Sequence, residues 1–207
     1  MNDAEGIEVL CARVGMSQPT GWKVFFDLAR SWNARTDLTS ARTDVELAEV
    51  LFLDAAHLIQ AGWLVPSVSL IDVGAGVGAP TIPLVVSEPT LTATLVEPRR
   101  IRAAFLRTAS GTLDITSRLT VREQRIDPAS PNVLGSPFDV ALSRATFPPE
   151  LWVRVGAALS AEVWVFSARA ELKPPAELTL ARKLSYTVPS SGAPRALFAY
   201  RRVGRGP

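Results

Sequence analysis

Leu70-Ile71-Asp72-Val73-Gly74-Ala75-Gly76-Val77-Gly78-Ala79-Pro80 follows an apolar run and carries an acid two residues before the first of three glycines. The glycines occupy alternate positions, where they permit φ values that other residues resist and present no Cβ to keep a ligand off the backbone. The stretch reads as a tight turn leading from a buried strand into a helix, with its backbone offered to a nucleotide-like cofactor.

Beyond this turn the chain alternates. Short apolar runs at Ser67–Val73, Leu91–Val96, Leu119–Gln124, Phe138–Ser143 and Glu162–Ser167 are separated by segments of helical length at Thr81–Val86, Arg99–Ser110 and Pro149–Leu159. Strand, helix, strand in repetition predicts a parallel sheet covered on both faces. The last two runs, Lys183–Val188 and Ala196–Arg202, are joined by Pro189-Ser190-Ser191-Gly192-Ala193-Pro194, too short for a helix and rich in turn formers, so they predict an antiparallel hairpin. Before the turn, apolar residues recur three and four apart over Gly6–Gly15 and Gly21–Trp32, with Thr20 placed to cap the second helix. A third helix is predicted from a cap at Thr43 or Asp44 through Leu47, Leu51 and Leu58 to Gly62. The expected organisation is a helical preface over residues 1–62 and an α/β domain over 63–207, forming one unit.

The composition is that of a globular chain: 207 residues, 47% apolar and 20% charged. No run of eighteen apolar residues occurs, and the acidic Met1-Asn2-Asp3-Ala4-Glu5 start lacks a basic leader, so no membrane anchor and a cytoplasmic location are expected. A single cysteine, Cys11, cannot form an internal disulfide and reads as a buried thiol. Residues 1–60 hold 9 acids and 5 bases and the remainder 11 acids and 17 bases, so the glycine-rich part is the basic part. That balance suits an anionic partner.

In an open parallel sheet, ligands bind beyond the C-terminal ends of the strands. The second run ends at Glu97, which lies 21 residues after Gly76, a spacing at which a carboxylate can accept both ribose hydroxyls of a nucleoside. The third leads to Arg125-Ile126-Asp127, where a backbone N–H can serve adenine N1, Asp127 the exocyclic amine and Ile126 the ring face. The fourth ends in Ser143-Arg144-Ala145 and brings a guanidinium to the mouth of the cleft. Taken singly, Glu97 and Asp127 are equally good as helix N-caps, and Arg144 as half of a surface ion pair. Arg99, Arg100, Arg102 and Arg107 share one predicted helix, as a solvated face or as a contact for nucleic acid. Trp22, Trp32, Trp63, Trp152 and Trp164 read as packing, and so does His57, the only histidine. One cysteine and one histidine propose no metal site, and no nucleophile elbow is present.

Dinucleotide-binding turns are written G-x-G-x-x-G and those of S-adenosylmethionine-dependent methyltransferases D-x-G-x-G-x-G. Asp72 and Gly78 favour the second form, as does a parallel sheet ending in an antiparallel hairpin. The fold expected is a Rossmann-like class I methyltransferase, α/β, with a seven-stranded, mostly parallel sheet and N-terminal helices. Residues 63–207 are then the methyltransferase domain.

The chain resembles one family within that class, the 16S ribosomal RNA guanine-N7 methyltransferases, also called glucose-inhibited division protein B. Trp32-Asn33 with Leu38-Thr39 is similar to that family's W-N…N-L-T, Phe52-Leu53-Asp54 to its F-L-D, and Asp72–Leu84 to D-V-G-x-G-x-G-x-P-G-I-P-L. Ala104-Phe105-Leu106-Arg107 resembles A-F-L-R, and Phe138-Asp139-Val140 with Ser143-Arg144-Ala145 resembles F-D-V-V-x-S-R-A, while Arg195 precedes the last strand. The resemblance implies S-adenosyl-L-methionine as cofactor, held by Gly74, Ala79, Ile126, Asp127 and Arg144, with Arg144 near the transferred methyl group. It implies 16S ribosomal RNA or the small ribosomal subunit as partner, and a monomer is expected. Guanine N7 has a free lone pair and no proton to remove, so the lack of a candidate base agrees with such a reaction. The chain departs from the family at Val50 and Leu51 (a basic residue and a histidine), Ala55 (a serine), Thr81 (a glycine), Ile101 (a lysine) and Phe166-Ser167-Ala168 (L-K-G). The departures leave two alternatives: a methyltransferase of this fold acting on another RNA or a small molecule, and a non-catalytic module that binds the cofactor.

Overall fold

The computed structural model describes residues 3–131, 137–144, 146–169 and 171–203, in which a run of helices precedes seven strands that are only partly interleaved with further helices. Met1, Asn2 and Ala145, used above, lie outside the described residues. The helices are α1 (Asp3–Val14), α2 (Trp22–Thr36), α3 (Asp44–Ala48), α4 (Asp54–Gln60), α5 (Thr81–Ser87), α6 (Arg100–Thr112) and α7 (Pro149–Leu159). The strands are β1 (Ser69–Val73), β2 (Thr92–Val96), β3 (Leu119–Arg122), β4 (Phe138–Ser143), β5 (Ser160–Ser167), β6 (Leu178–Thr187) and β7 (Pro194–Arg202). They form a seven-stranded sheet in the order β3-β2-β1-β4-β5-β7-β6. The expected α/β class, mostly parallel sheet and closing hairpin are therefore present.

The chain divides into two units, Met1–Val68 with Ala75–Gln124, and Ser69–Gly74 with Arg125–Pro207. In the first, β2 and β3 pair in parallel, Val96 opposite Arg122. The helices around them are joined by an aromatic ladder. Trp22 of α2 stacks on Phe52 with ring centroids 4.6 Å apart, Phe25 meets Phe52 edge-on, and Phe105 of α6 receives Phe25 and Trp32. The Trp22 indole N–H is satisfied by Ser87 Oγ at 3.1 Å, so this tryptophan is core, as read.

The long third helix of the sequence reading runs as α3, a π-helical turn at Glu49–Leu53, and α4. Thr43 caps it in a capping box: its side chain accepts the Glu46 N–H while the Glu46 carboxylate accepts the Thr43 N–H. A π turn holds one residue more than an α turn and rotates the following face. Leu51, Phe52, Leu53, Asp54, Ala55 and Ala56 are consequently all buried. The expected Thr20 cap is not made. Gly21 takes the N-cap position of α2 with no side-chain bond, and the turn is closed by the backbone of Pro19 and Gly21 instead.

In the second unit β1 pairs with β4 and β4 with β5 in parallel, while β7 runs antiparallel to both β5 and β6. Strands β1 and β5 are buried on both faces, which is why they read as unbroken apolar runs. β6 is an edge strand, exposed at alternate positions and interrupted by a register shift between Leu180 and Arg182. It begins five residues before the predicted run because Leu178, Thr179 and Leu180 pair with Arg202, Arg201 and Tyr200.

Candidate cofactor and acceptor site

In the first unit the glycine stretch leads into α5 through short backbone bonds. Ala75 N–H donates to Val96 O at 3.1 Å, Gly78 N–H to Ala75 O at 2.7 Å and Ile82 N–H to Gly78 O at 2.7 Å. Glu97, at the end of β2, is 3% exposed, and its two carboxylate oxygens are divided between two elements. Oε2 accepts the Gly76 N–H and Oε1 the Arg99 N–H, each at 2.9 Å. Glu97 is therefore not the N-cap of α6; that position is Arg99, which makes no side-chain cap bond. Each oxygen keeps one lone pair, so the acid can hold the loop and still accept a hydroxyl.

The turn's glycines are required for a further reason. Gly78 has φ +83°, and a Cβ there would come within 2.5 Å of Ile82 Cδ1 and 2.8 Å of Leu106 Cδ2. Gly74 has φ +77°, and its Cβ would fall 1.8 Å from Thr146 Oγ1. At these two positions the space left by the missing side chain is filled by the protein and is not open to a ligand. Ala79, between Gly78 and Pro80, is buried.

In the second unit Asp72 is buried on β1, and the Val73 carbonyl that ends the strand accepts hydroxyl bonds from Ser143 at 2.7 Å and Thr146 at 3.1 Å. Arg144 stands between those donors, half-buried. Ile126 is buried and Asp127 exposed. Asp127 Oδ1 accepts the Ala129 N–H at 2.9 Å, which fixes the carboxylate in a local turn. The structure thus joins Gly76 to Glu97 within one unit, and Val73 to Ser143 and Thr146, with Thr146 over Gly74, within the other. Sequence reasoning missed Thr146, which no local pattern marks.

The arginines separate into two groups. Arg107 pairs with Glu123 at 3.1 Å, and Arg118 donates to the carbonyls of Val85, Glu88 and Leu91, closing the end of α5. Arg99 and Arg100 are exposed and Arg102 half-exposed, and among the described residues none of the three has an acid partner. Most departures from the resembled family are interior: Leu51 is 1% exposed, Ala55 and Thr81 are wholly buried, and Phe166 and Ser167 are buried as well. Ile101, by contrast, is 55% exposed. His57 is half-buried on α4; burial pushes its imidazole below the ordinary value, and Asp54 opposes the shift. Among the described residues no group of side chains could hold a metal, and no helix is long and apolar enough to cross a membrane.

A glycine turn after the first strand, an acid after the second bonded to that turn, and a parallel sheet closed by an antiparallel hairpin define an S-adenosylmethionine-dependent class I methyltransferase. The family model described as GidB, rRNA small subunit methyltransferase G, matches residues 20–159. The chain belongs to this family of ribosomal RNA methyltransferases. It is 33% identical over 161 residues to the ribosomal RNA small subunit methyltransferase G of Anaeromyxobacter dehalogenans, covering 77% of this chain and 72% of that protein. To the enzyme of the same name from Methylobacillus flagellatus it is 32% identical over 178 residues, covering 84% and 83%. Among solved structures, an S-adenosylmethionine-dependent methyltransferase of Thiobacillus denitrificans, crystallised with S-adenosyl-L-homocysteine, shares the fold with a TM-score of 0.60 at 8% identity, covering 86% of this chain and 98% of that one.

Proposed function

We propose that this chain methylates N7 of a guanine in 16S ribosomal RNA, with S-adenosyl-L-methionine held by Asp72, Gly74, Gly76, Gly78, Ala79, Glu97, Ile126, Asp127 and Arg144. The observation that carries the cofactor assignment is Glu97. A buried carboxylate that fixes the glycine loop and keeps one lone pair on each oxygen suits a ribose with two vicinal hydroxyls. Ile126 covers the adenine face, its neighbouring backbone serves the ring nitrogen, and the exposed carboxylate of Asp127 accepts from the exocyclic amine. The cofactor, when bound, supplies an electrophilic methyl group on a sulfonium. No residue need remove a proton from N7, so the chain's task is to hold the acceptor in line and exclude water. Arg144 is the group placed here beside the transferred methyl, where its guanidinium can donate to guanine O6 and orient N7. Arg99, Arg100 and Arg102 supply phosphate contacts for the RNA. The chain works in this reading as a cytoplasmic monomer, with residues 1–62 a helical preface to the methyltransferase domain 63–207.

The test is to incubate small ribosomal subunits lacking the modification with the protein and methyl-labelled S-adenosylmethionine. Label at a guanine N7 of 16S RNA is expected. Binding of the cofactor without label in that RNA would overturn the assignment of the acceptor, and label in a small-metabolite pool instead would select the substrate-shifted alternative.

A further inference from the structure

One carbonyl organises the end of β1. Val73 O accepts from Ser143 Oγ at 2.7 Å and from Thr146 Oγ1 at 3.1 Å, and these two donors stand on either side of Arg144. A carbonyl oxygen has two lone pairs, and here the chain itself occupies both. Thr146 is an exposed residue, yet its side chain lies over Gly74: a Cβ at position 74 would sit 1.8 Å from its Oγ1 and 2.8 Å from its Cβ and Cγ2. The next residue, Phe147, is anchored by stacking on Trp152 of α7 with ring centroids 6.2 Å apart and planes 3° apart. Thr146 does not cap α7, whose N-cap position is Pro148. Its hydroxyl bond therefore does nothing for the nearest helix and spans 73 residues to β1.

We propose that Thr146 is a positioning residue for methyl transfer: it locks the first glycine of the cradle and the segment bearing Arg144 to a single carbonyl, so that both are set in one geometry. The proposal rests on the reading that Gly74 and Arg144 serve the cofactor and the acceptor. Thr146 acts through them and need not touch either ligand. A misplacement of about 1 Å at such groups is enough to lower a rate by as much as ~100-fold.

The test compares wild type with Thr146→Val, which keeps the shape and removes the hydroxyl, and with Thr146→Ser, which keeps the hydroxyl. Cofactor affinity is read by calorimetry, single-turnover methylation on small subunits, and folding by thermal melting. Thr146→Val is expected to bind S-adenosylmethionine about 3- to 10-fold more weakly and to turn over more slowly, with a melting temperature lowered by no more than a few degrees, the worth of one hydrogen bond, so that it stays fully folded at the assay temperature. Thr146→Ser should restore both. Affinity and rate in Thr146→Val within about twofold of wild type would overturn the proposal, as would an equal loss in Thr146→Ser or partial unfolding of Thr146→Val at the assay temperature. Failure of wild type itself to bind the cofactor would instead remove the reading of Gly74, whatever the variants do.

Discussion

Glu97 accepts from two backbone N–H groups, Gly76 and Arg99, one on each carboxylate oxygen. Glu97→Gln keeps the size but turns an NH2 toward one of those donors, which leaves a buried N–H without an acceptor. The variant is expected to lose about tenfold or more in S-adenosylmethionine affinity by calorimetry, because the loop and the ribose acceptor fail together. At Gly78 the penalty is one of shape: φ +83° and contacts of 2.5 Å and 2.8 Å to Ile82 and Leu106 face any added Cβ. Gly78→Ala should destabilise the fold by about 2–4 kcal/mol in urea denaturation, from left-handed strain and overpacking. The positions of these glycines were legible in the sequence, but not the cause. The atoms that exclude a side chain at 78 belong partly to Leu106, and those at 74 to Thr146, both far along the chain.

Among the elements, the last three strands share a polar cluster built on one buried acid. Glu162 of β5 is buried and accepts from the Trp164 indole at 2.6 Å, from Arg182 of β6 at 2.6 Å, and from Arg201 of β7. Its carboxylate thus ties three strands, and the register shift after Leu180 is where Arg182 enters the cluster. Burial raises the pKa of Glu162, but the hydrogen bonds from Trp164, Arg182 and Arg201 outweigh it and hold the group below its ordinary 4.5. A carboxylate lowered on folding contributes stability above its unfolded pKa and loses it as pH falls through the folded value. Glu162→Gln should therefore cost about 2 kcal/mol at neutral pH, with the gap to wild type closing below pH 4.5, as denaturation curves at successive pH values would show. Another clasp explains a motif. Asn33 accepts the Thr39 N–H at 2.7 Å and donates to Ala41 O at 3.2 Å, so Trp32-Asn33 and Leu38-Thr39 belong together because they close one loop. The strand and helix order was readable from periodicity. The π turn was not, because one extra residue in a turn leaves the apolar run Val50–Leu53 reading as ordinary helix in sequence.

At the scale of the molecule, the excess of bases after residue 60 is partly spent within the protein: Arg107, Arg118, Arg182 and Arg201 all have internal partners. Among the described residues Arg99, Arg100 and Arg102 have no acid partner. Replacing the three by glutamine should lower the slope of log affinity for small-subunit RNA against log salt by about 2–3, with cofactor affinity retained. An unchanged slope would move the RNA contact to another face. The sequence by itself determined the strand and helix alternation, the glycine turn, the closing hairpin and the family, because each is written in periodicity or in residues adjacent along the chain. Only the tertiary structure decided that Glu97 fastens the turn it was expected to serve across a ligand, that Leu51 and Ala55 are interior, and that Thr146 belongs with Gly74. Those outcomes depend on hydrogen bonds and packing between residues 21 and 73 positions apart, and a contact made only by folding leaves no mark on either partner's neighbours in sequence.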